Sequence, residues 1–375
     1  MRPRHAYVHV PFCARRCSYC DFSIAVRRDV PVDAYLAGLA GELAVRYPAT
    51  GDEGAWKLAT LYFGGGTPSR LGGEGVAQML EVIRRHATPE AGAEITLEAN
   101  PDDATPEAAV RWAASGVNRV SLGVQSFEPR VLDWMHRSHT VDRVNPAIAA
   151  VRAAGITDIS VDLIFALPEF LQRDWRADLE RALALDPTHV SLYGLTIEPR
   201  TPLGRWHARG EVVESPEDRY ADEFMLAHEL VTSAGLDHYE VSNFGKPGHW
   251  SRHNQSYWRG VAYAGLGPGA HEYDGIARRW NASAYAAWLQ RASEGRDPVE
   301  GSETLTAENR IAESVYLGLR SVAGLELCAG EVAHVQPWIE AGWGTIVTSD
   351  RLVLTPSGWL RMDALAQSLT LFRSH

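Results

Sequence analysis

Cys13, Cys17 and Cys20 fall within eight residues, in the run Tyr7-Val-His-Val-Pro-Phe-Cys-Ala-Arg-Arg-Cys-Ser-Tyr-Cys-Asp-Phe22. The spacing is C-x3-C-x2-C, and only one other cysteine, Cys328, occurs in the 375 residues. Three thiolates on one tight loop make a metal cradle. A cubane iron–sulfur cluster has four irons, each wanting a terminal ligand, so three cysteines leave one iron open to another group. Zinc is the competing reading, with His9 or His5 as the fourth ligand. Structural zinc sites usually take two ligand pairs from separated turns, and no second C-x-x-C or H-x3-H pair follows. A disulfide framework fits poorly, because three cysteines on one loop cannot pair neatly and Met1 to Val10 lacks the apolar core of a signal peptide. Cys328 reads as a buried small hydrophobe.

Other chemistry-bearing residues stand at the ends of short β-rich runs. These runs are Ala6–Val10, Leu58–Phe63, Glu94–Glu98, Arg119–Val124, Ile159–Phe165 and His189–Leu195, each bounded by Gly, Pro, Asn or Ser. Between them lie stretches with helical periodicity: Val32–Tyr47, Val76–His86, Thr105–Ala114, Val141–Ala154 and Gln172–Leu185. Thr105-Pro-Glu supplies an N-cap followed by proline at the first helical position. Six strands alternating with helices predict a parallel α/β array. Six units are too few for a closed eight-fold barrel, so a partial, TIM-like (β/α)6 barrel is expected. Gly64-Gly65-Gly66-Thr67-Pro68 follows the second strand, Glu98 ends the third, Gln125 follows the fourth and Asp162 lies in the fifth. The cysteine loop follows the first. All therefore open onto the rim where parallel barrels keep their active sites.

The composition excludes several classes. With 36 basic and 47 acidic residues the net charge is −11, a poor footprint for nucleic acid. No run of 18 apolar residues suggests a membrane span. Cysteines used as ligands suit a reducing cytoplasm. After about residue 215 the pattern changes. Pro216–Ala234 reads as a helix packed over the array, and Ser242–Tyr273 as a loop-rich segment dense in Gly, His and Trp. The tail reads as a helix over Leu305–Leu319, two short strands, Trp343–Val347 and Arg351–Thr355, around Thr348-Ser-Asp350, and a helix over Pro356–Thr370. That order is winged-helix-like. Yet Ser302–His375 carries 5 basic and 8 acidic residues, so a packing and lid domain is preferred to a DNA reader.

The cysteine motif, with an aromatic before its third cysteine, resembles that of the radical S-adenosylmethionine (SAM) superfamily. Tyr-x-His-x-Pro-Phe-Cys, Gly-Gly-Gly-Thr-Pro, Glu-Ala-Asn-Pro, Gly-Val-Gln-Ser-Phe and Asp-Leu-Ile-x-x-Leu-Pro stand in the order of the oxygen-independent coproporphyrinogen III oxidase group. The resemblance implies a radical SAM core over residues 1–240 and a smaller C-terminal α+β domain over 241–375. It implies a [4Fe–4S] cluster on Cys13, Cys17 and Cys20, with SAM chelating the open iron. It also implies that Tyr7 and Tyr19 pack beside them and that Gly65, Gly66 and Thr67 meet the methionine amino end. Glu98 and Arg137 would bind SAM's charged groups, and Gln125 and Asp162 the ribose and neighbouring polar atoms.

Two departures select a branch. The oxidases of the group carry a further cysteine where this chain has Phe22, and a longer segment before the motif. Both argue against coproporphyrinogen decarboxylation in porphyrin biosynthesis, which stands as the alternative function. His253-Asn-Gln-Ser-Tyr-Trp258 instead matches the H-N-x-x-Y-W motif of the haem-binding branch regarded as haem chaperones. An imidazole is a common axial ligand, Tyr257 and Trp258 offer flat apolar faces, and Arg252 could meet a propionate. Taken alone, His253 reads as an ordinary loop histidine beside a structural Trp. The motif match makes it the expected haem ligand, with His249 and His271 as rivals. The resemblance thus implies a cytoplasmic haem chaperone that passes haem to an acceptor protein. It leaves room for a cluster-dependent homodimer.

Overall fold

The computed structural model describes residues 2–49, 56–348 and 350–374. Its centre is a nine-stranded sheet. The six strands expected from the sequence are β1 (His5–Val10), β2 (Trp56–Gly65), β3 (Ala87–Ala99), β4 (Arg119–Gln125), β5 (Asp158–Phe165) and β6 (His189–Gly194). They lie side by side in chain order and all parallel. Three strands were not foreseen: β7 (Asp237–Glu240), β8 (Asn243–Gly245) and β9 (Ala264–Leu266). β8 and β7 extend the β6 edge antiparallel, whereas β9 pairs parallel with β1. Residues beyond 240 therefore complete the barrel sheet.

Parallel strands packed on both faces usually read as continuous apolar runs. These strands alternate instead. Val8, Leu61, Phe63, Leu97, Val120, Leu122, Val161, Leu163 and Val190 are buried in one core cluster with residues of the surrounding helices. Each fully buried side chain of this kind contributes roughly 2 kcal/mol. The intervening residues are polar or aromatic and adjoin one another across the sheet. Tyr7 sits opposite Tyr62, Tyr62 opposite Thr96, Glu98 opposite Ser121, Ser121 opposite Ser160 and Asp162 opposite Ser191. The barrel thus has an apolar jacket and a polar interior, and the period of two dictates both faces.

The helices follow the expected spans within one to four residues. Thr105 caps Pro106–Ser115 by accepting from the Ala108 N–H at 3.2 Å. The loop-rich reading of 242–273 needs correction, because it also contains the helix Arg252–Trp258, capped by Ser251. The tail carries helices Ala307–Leu319 and Glu331–Glu340 with a three-stranded antiparallel sheet of Leu325–Glu326, Arg351–Leu354 and Gly344–Ile346. Thr306 and Asn309 form a capping box on the first helix. Ser349, the centre of the expected strand turn, lies outside the described residues. The expected helix over Pro356–Thr370 is two, Pro356–Trp359 and Met362–Arg373. Cys328 is exposed rather than buried.

One buried carboxylate ties the late segment to the first helix, Val32–Arg46. Glu42 accepts from Trp288 Nε1 at 2.8 Å, Asn281 Nδ2 at 2.7 Å and the Gly267 N–H at 2.9 Å, and pairs with Arg46. Its burial raises its pKa despite these partners. A buried carboxylate needs such a full set of donors, since each lone pair left empty costs free energy.

Candidate cluster and ligand cavity

The rim at the strand C-termini encloses a cavity of about 490 Å³. Cys13, Cys17 and Cys20 line it together with Glu98 and Asp162. Tyr19, Gly65, Gly66, Thr67, Gln125 and Arg137 also line it, so eleven of the thirteen site residues expected from the sequence meet there. Tyr7 and His253 are not on its wall.

Local structure explains how the loop is held. The short strands Phe12–Cys13 and Ala25–Val26 pair in parallel and close the base of the cysteine loop. The Ser18 N–H donates to the Met135 carbonyl at 3.0 Å, and the Leu203 N–H donates to the Ser18 carbonyl at 2.8 Å. The Thr67 hydroxyl lies 3.5 Å from Cys13 Sγ, and Arg137 Nη1 lies 3.6 Å from Cys17 Sγ. Arg137 Nη2 is anchored on the Gly123 carbonyl at 2.6 Å, while its buried Nε has no partner among the described residues. The guanidinium is therefore fixed beside the thiols with donor capacity to spare. Burial raises the pKa of Cys13 and pushes that of Cys20 up to about 11. A bound metal reverses that preference, because coordination deprotonates a thiol.

Three thiols on one loop suit the separate irons of a cubane, which need no common point. Among the described residues no three His, Cys, Asp or Glu side chains converge on one ion-sized point. Cubane thiolates bind different irons and need no such convergence. The zinc alternative also loses its histidines. His9 is buried, with Nε2 against the Ser23 carbonyl at 2.8 Å and Nδ1 against Tyr7 Oη at 3.1 Å. His5, partly buried at the start of β1, has its Nδ1 2.9 Å from Thr60 Oγ1.

The glycine strip is built for close approach. Gly65 has φ +109°, and a Cβ there would sit 2.4 Å from the His9 ring. At Gly66 a Cβ would lie 2.6 Å from the Pro11 backbone. Glycine is therefore required at both, which leaves backbone facing the cavity. Gln125 also has a left-handed backbone, φ 68°, which is costly for a non-glycine residue. Strain of this kind gathers at binding sites.

Glu98 is the main carboxylate of the wall. Its Oε1 accepts from the Tyr62 hydroxyl at 2.8 Å and its Oε2 from the Gly65 N–H at 3.1 Å. Burial raises its pKa to about 7 against those two hydrogen bonds, and Asp162 nearby adds to the rise. What exposure Glu98 keeps is to the cavity. Asp162 accepts from Ser121 Oγ at 2.9 Å and Ser160 Oγ at 3.0 Å, and burial raises its pKa too. Two buried carboxyls with raised pKa values suit a ligand that brings hydrogen-bond donors to this wall.

Sequence reasoning missed three contributors and weighed His9 only as a zinc ligand. Tyr62 and His9 are single polar residues inside apolar strands, and their alternation with Thr60 and Tyr7 was the available signal. Asn100 and Asp103 line the cavity beyond Glu98, with Ser69 Oγ donating to Asp103 at 2.7 Å. The Glu-Ala-Asn-Pro motif pointed at Asn100. Tyr7 lies beneath the wall, stacked on Tyr62 at 6.1 Å.

His253 departs most from expectation. It is 1% exposed. Its Nδ1 lies 2.7 Å from Thr60 Oγ1 and its Nε2 2.8 Å from Tyr257 Oη, so neither ring nitrogen is open to a metal. Burial lowers its pKa to about 3, which keeps the ring neutral. His249 lies half-exposed with Nδ1 3.6 Å from Asp158. His271 is exposed, stacks on Trp280 at 5.8 Å and 25°, and makes no ring hydrogen bond among the described residues.

A parallel barrel with three cysteines on its first loop and a glycine strip on its second defines a radical SAM protein. The family model described as the radical SAM superfamily matches residues 7–182. The chain belongs to the HemW family within it. A protein named heme chaperone HemW from Synechocystis is 38% identical over 330 residues, 87% of this chain and 80% of its own length. The Mycobacterium tuberculosis (H37Rv) protein of the same name is 37% identical over 98% of this chain and 95% of its own. Among solved structures, coproporphyrinogen III oxidase (HemN) from Escherichia coli, described as a radical SAM enzyme, superposes with a TM-score of 0.81. It is 22% identical, with 99% of this chain and 91% of that chain covered. That likeness bears on the fold alone.

Proposed function

We propose that this protein is a haem chaperone that holds a [4Fe–4S] cluster on Cys13, Cys17 and Cys20, takes SAM on the open iron, binds one haem and delivers it to an acceptor protein. The family membership supports the haem part. The observation that carries the rest is the shared cavity, whose wall joins the three cysteines, Glu98, Asp162, Gly65 and Gly66. When bound, cluster and SAM would supply one-electron chemistry at the sulfonium, and the protein's share is position and charge. Arg137 and Thr67 hold the thiols of Cys17 and Cys13 in place. Glu98 accepts a hydrogen bond from the methionine amino group and gives up its own proton to solvent as it does so. Asp162 and Gln125 hold ligand hydroxyls. The domain assignment is read functionally in the same way: residues 1–240 carry the cluster cavity, and 241–375 contribute the barrel's closing strand and the packing tail.

For the axial position on haem we assign His271 in place of His253, because it combines exposure, a free ring and a flat aromatic neighbour. Titration of the reconstituted protein with haem tests the reading. One equivalent should bind with a ligand-field spectrum that His271→Ala alters. Absence of any saturable haem binding would refute it.

A further inference from the structure

The motif that contains His253 is built into the barrel floor. The Arg252 and His253 N–H groups donate to Glu94 on β3 at 2.8 and 2.9 Å, which fixes the helix start against the strand. From there the imidazole rises between Thr60 and Tyr257, bonded to both. Its ring stacks on Tyr62, with centroids 5.0 Å apart and planes at 25°. The Tyr62 hydroxyl is the donor to Glu98 Oε1. His253 is therefore one aromatic ring away from the cavity carboxylate.

We propose that His253 is a positioning residue for Glu98. It clamps the Tyr62 ring from below, so that the phenol holds the carboxylate towards the cavity. The stacked and doubly bonded imidazole allows Tyr62 little freedom, and an anchored donor keeps its hydrogen bond short and directed. The inference rests on the proposed reading only for what Glu98 receives. The wiring itself is independent of haem, SAM and cluster. Glu98 is faced by Tyr7 from β1, Asp162 from β5, Tyr193 from β6 and Tyr257 from the helix. None of these is altered in the variants below.

The test uses the full chain without cluster and follows the Glu98 carboxyl infrared band against pH, with Glu98→Gln identifying the band. Tyr62→Phe removes the donor and should raise the midpoint by about one pH unit, since a hydrogen bond to the ionised form lowers it. His253→Ala should move the midpoint the same way, and His253→Gln, which keeps two-sided hydrogen bonding, should restore most of it. Should His253→Ala fail to fold, His253→Leu retains apolar volume and takes its place. In the haem titration the His253 variant should keep the parent spectrum. A midpoint that moves in Tyr62→Phe but not in the His253 variant overturns the proposal, as does a midpoint indifferent to Tyr62. Loss of the haem spectrum in the His253 variant with an unmoved midpoint would make it a ligand instead. Because the infrared reading needs no cofactor, failure of haem or SAM binding leaves this test intact.

Discussion

Glu98 should make SAM binding depend on pH in a specific sense. Its carboxyl is held at about 7, against an ordinary value of 4.5, chiefly by burial. Ionising it in the ligand-free fold therefore costs about 3 kcal/mol, an upper figure because solvent can enter the cavity. The folded chain holds this proton more tightly than the unfolded chain. Glu98 thus lowers stability progressively as pH rises from about 4.5 to about 7, and by a constant amount above that. A ligand amino group removes the cost by donating to the carboxylate. Below about pH 7 binding must then expel the Glu98 proton, which adds about a tenfold rise in affinity per pH unit up to that point and nothing above it. Glu98→Gln should flatten the profile. It should weaken binding at pH 8 by roughly ten- to a hundredfold, the worth of a charge-assisted hydrogen bond. It should also make the ligand-free protein more stable at that pH. Equilibrium dialysis of labelled SAM against anaerobically reconstituted protein, from about pH 5 to about pH 9, reads the profile. A parent profile that is flat, or one that Glu98→Gln leaves unchanged, would refute the reasoning.

Three further outcomes follow from the geometry. Cys17→Ala should abolish cluster assembly, since two thiolates cannot hold a cubane; iron and acid-labile sulfide per chain measure it, and parental values would remove Cys17 from the site. Gly66→Ala drives a methyl against the Pro11 backbone, where a Cβ would stand at 2.6 Å, and should cost roughly 1–3 kcal/mol in denaturant unfolding while loosening the cysteine loop. Glu42→Ala strips the shared acceptor from Arg46, Trp288, Asn281 and Gly267, and should destabilise the fold by roughly 3–5 kcal/mol. An unfolding midpoint equal to the parent's would show that the clamp is dispensable.

Much of the barrel was legible because local pattern and tertiary packing agree. Leu61 and Phe63 face the helices, Thr60 and Tyr62 face the interior, and the period of two encodes both at once. The cysteine loop, the glycine strip and Glu98 were legible for a second reason, since a strand end in a parallel array has only one rim to face. The helix Arg252–Trp258 was not legible. Seven residues are too few for a helical period to emerge, and what defines the segment is contact with residues far off in the chain. Thr60 meets His253 across 193 positions, and Glu94 meets it across 159. No local signal reports such pairings, so a histidine a few residues before Tyr and Trp read as a loop residue when it is sealed in on a helix. β9 was hidden in the same way, as three residues whose partner, β1, is at the other end of the chain.

The central claim, that this protein handles haem rather than oxidising porphyrinogen, is tested most directly by one incubation. The reconstituted protein is held without oxygen with SAM, a reductant and coproporphyrinogen III, and the tetrapyrroles are separated and quantified. The account predicts that coproporphyrinogen III is recovered unchanged. Formation of protoporphyrinogen IX would contradict it.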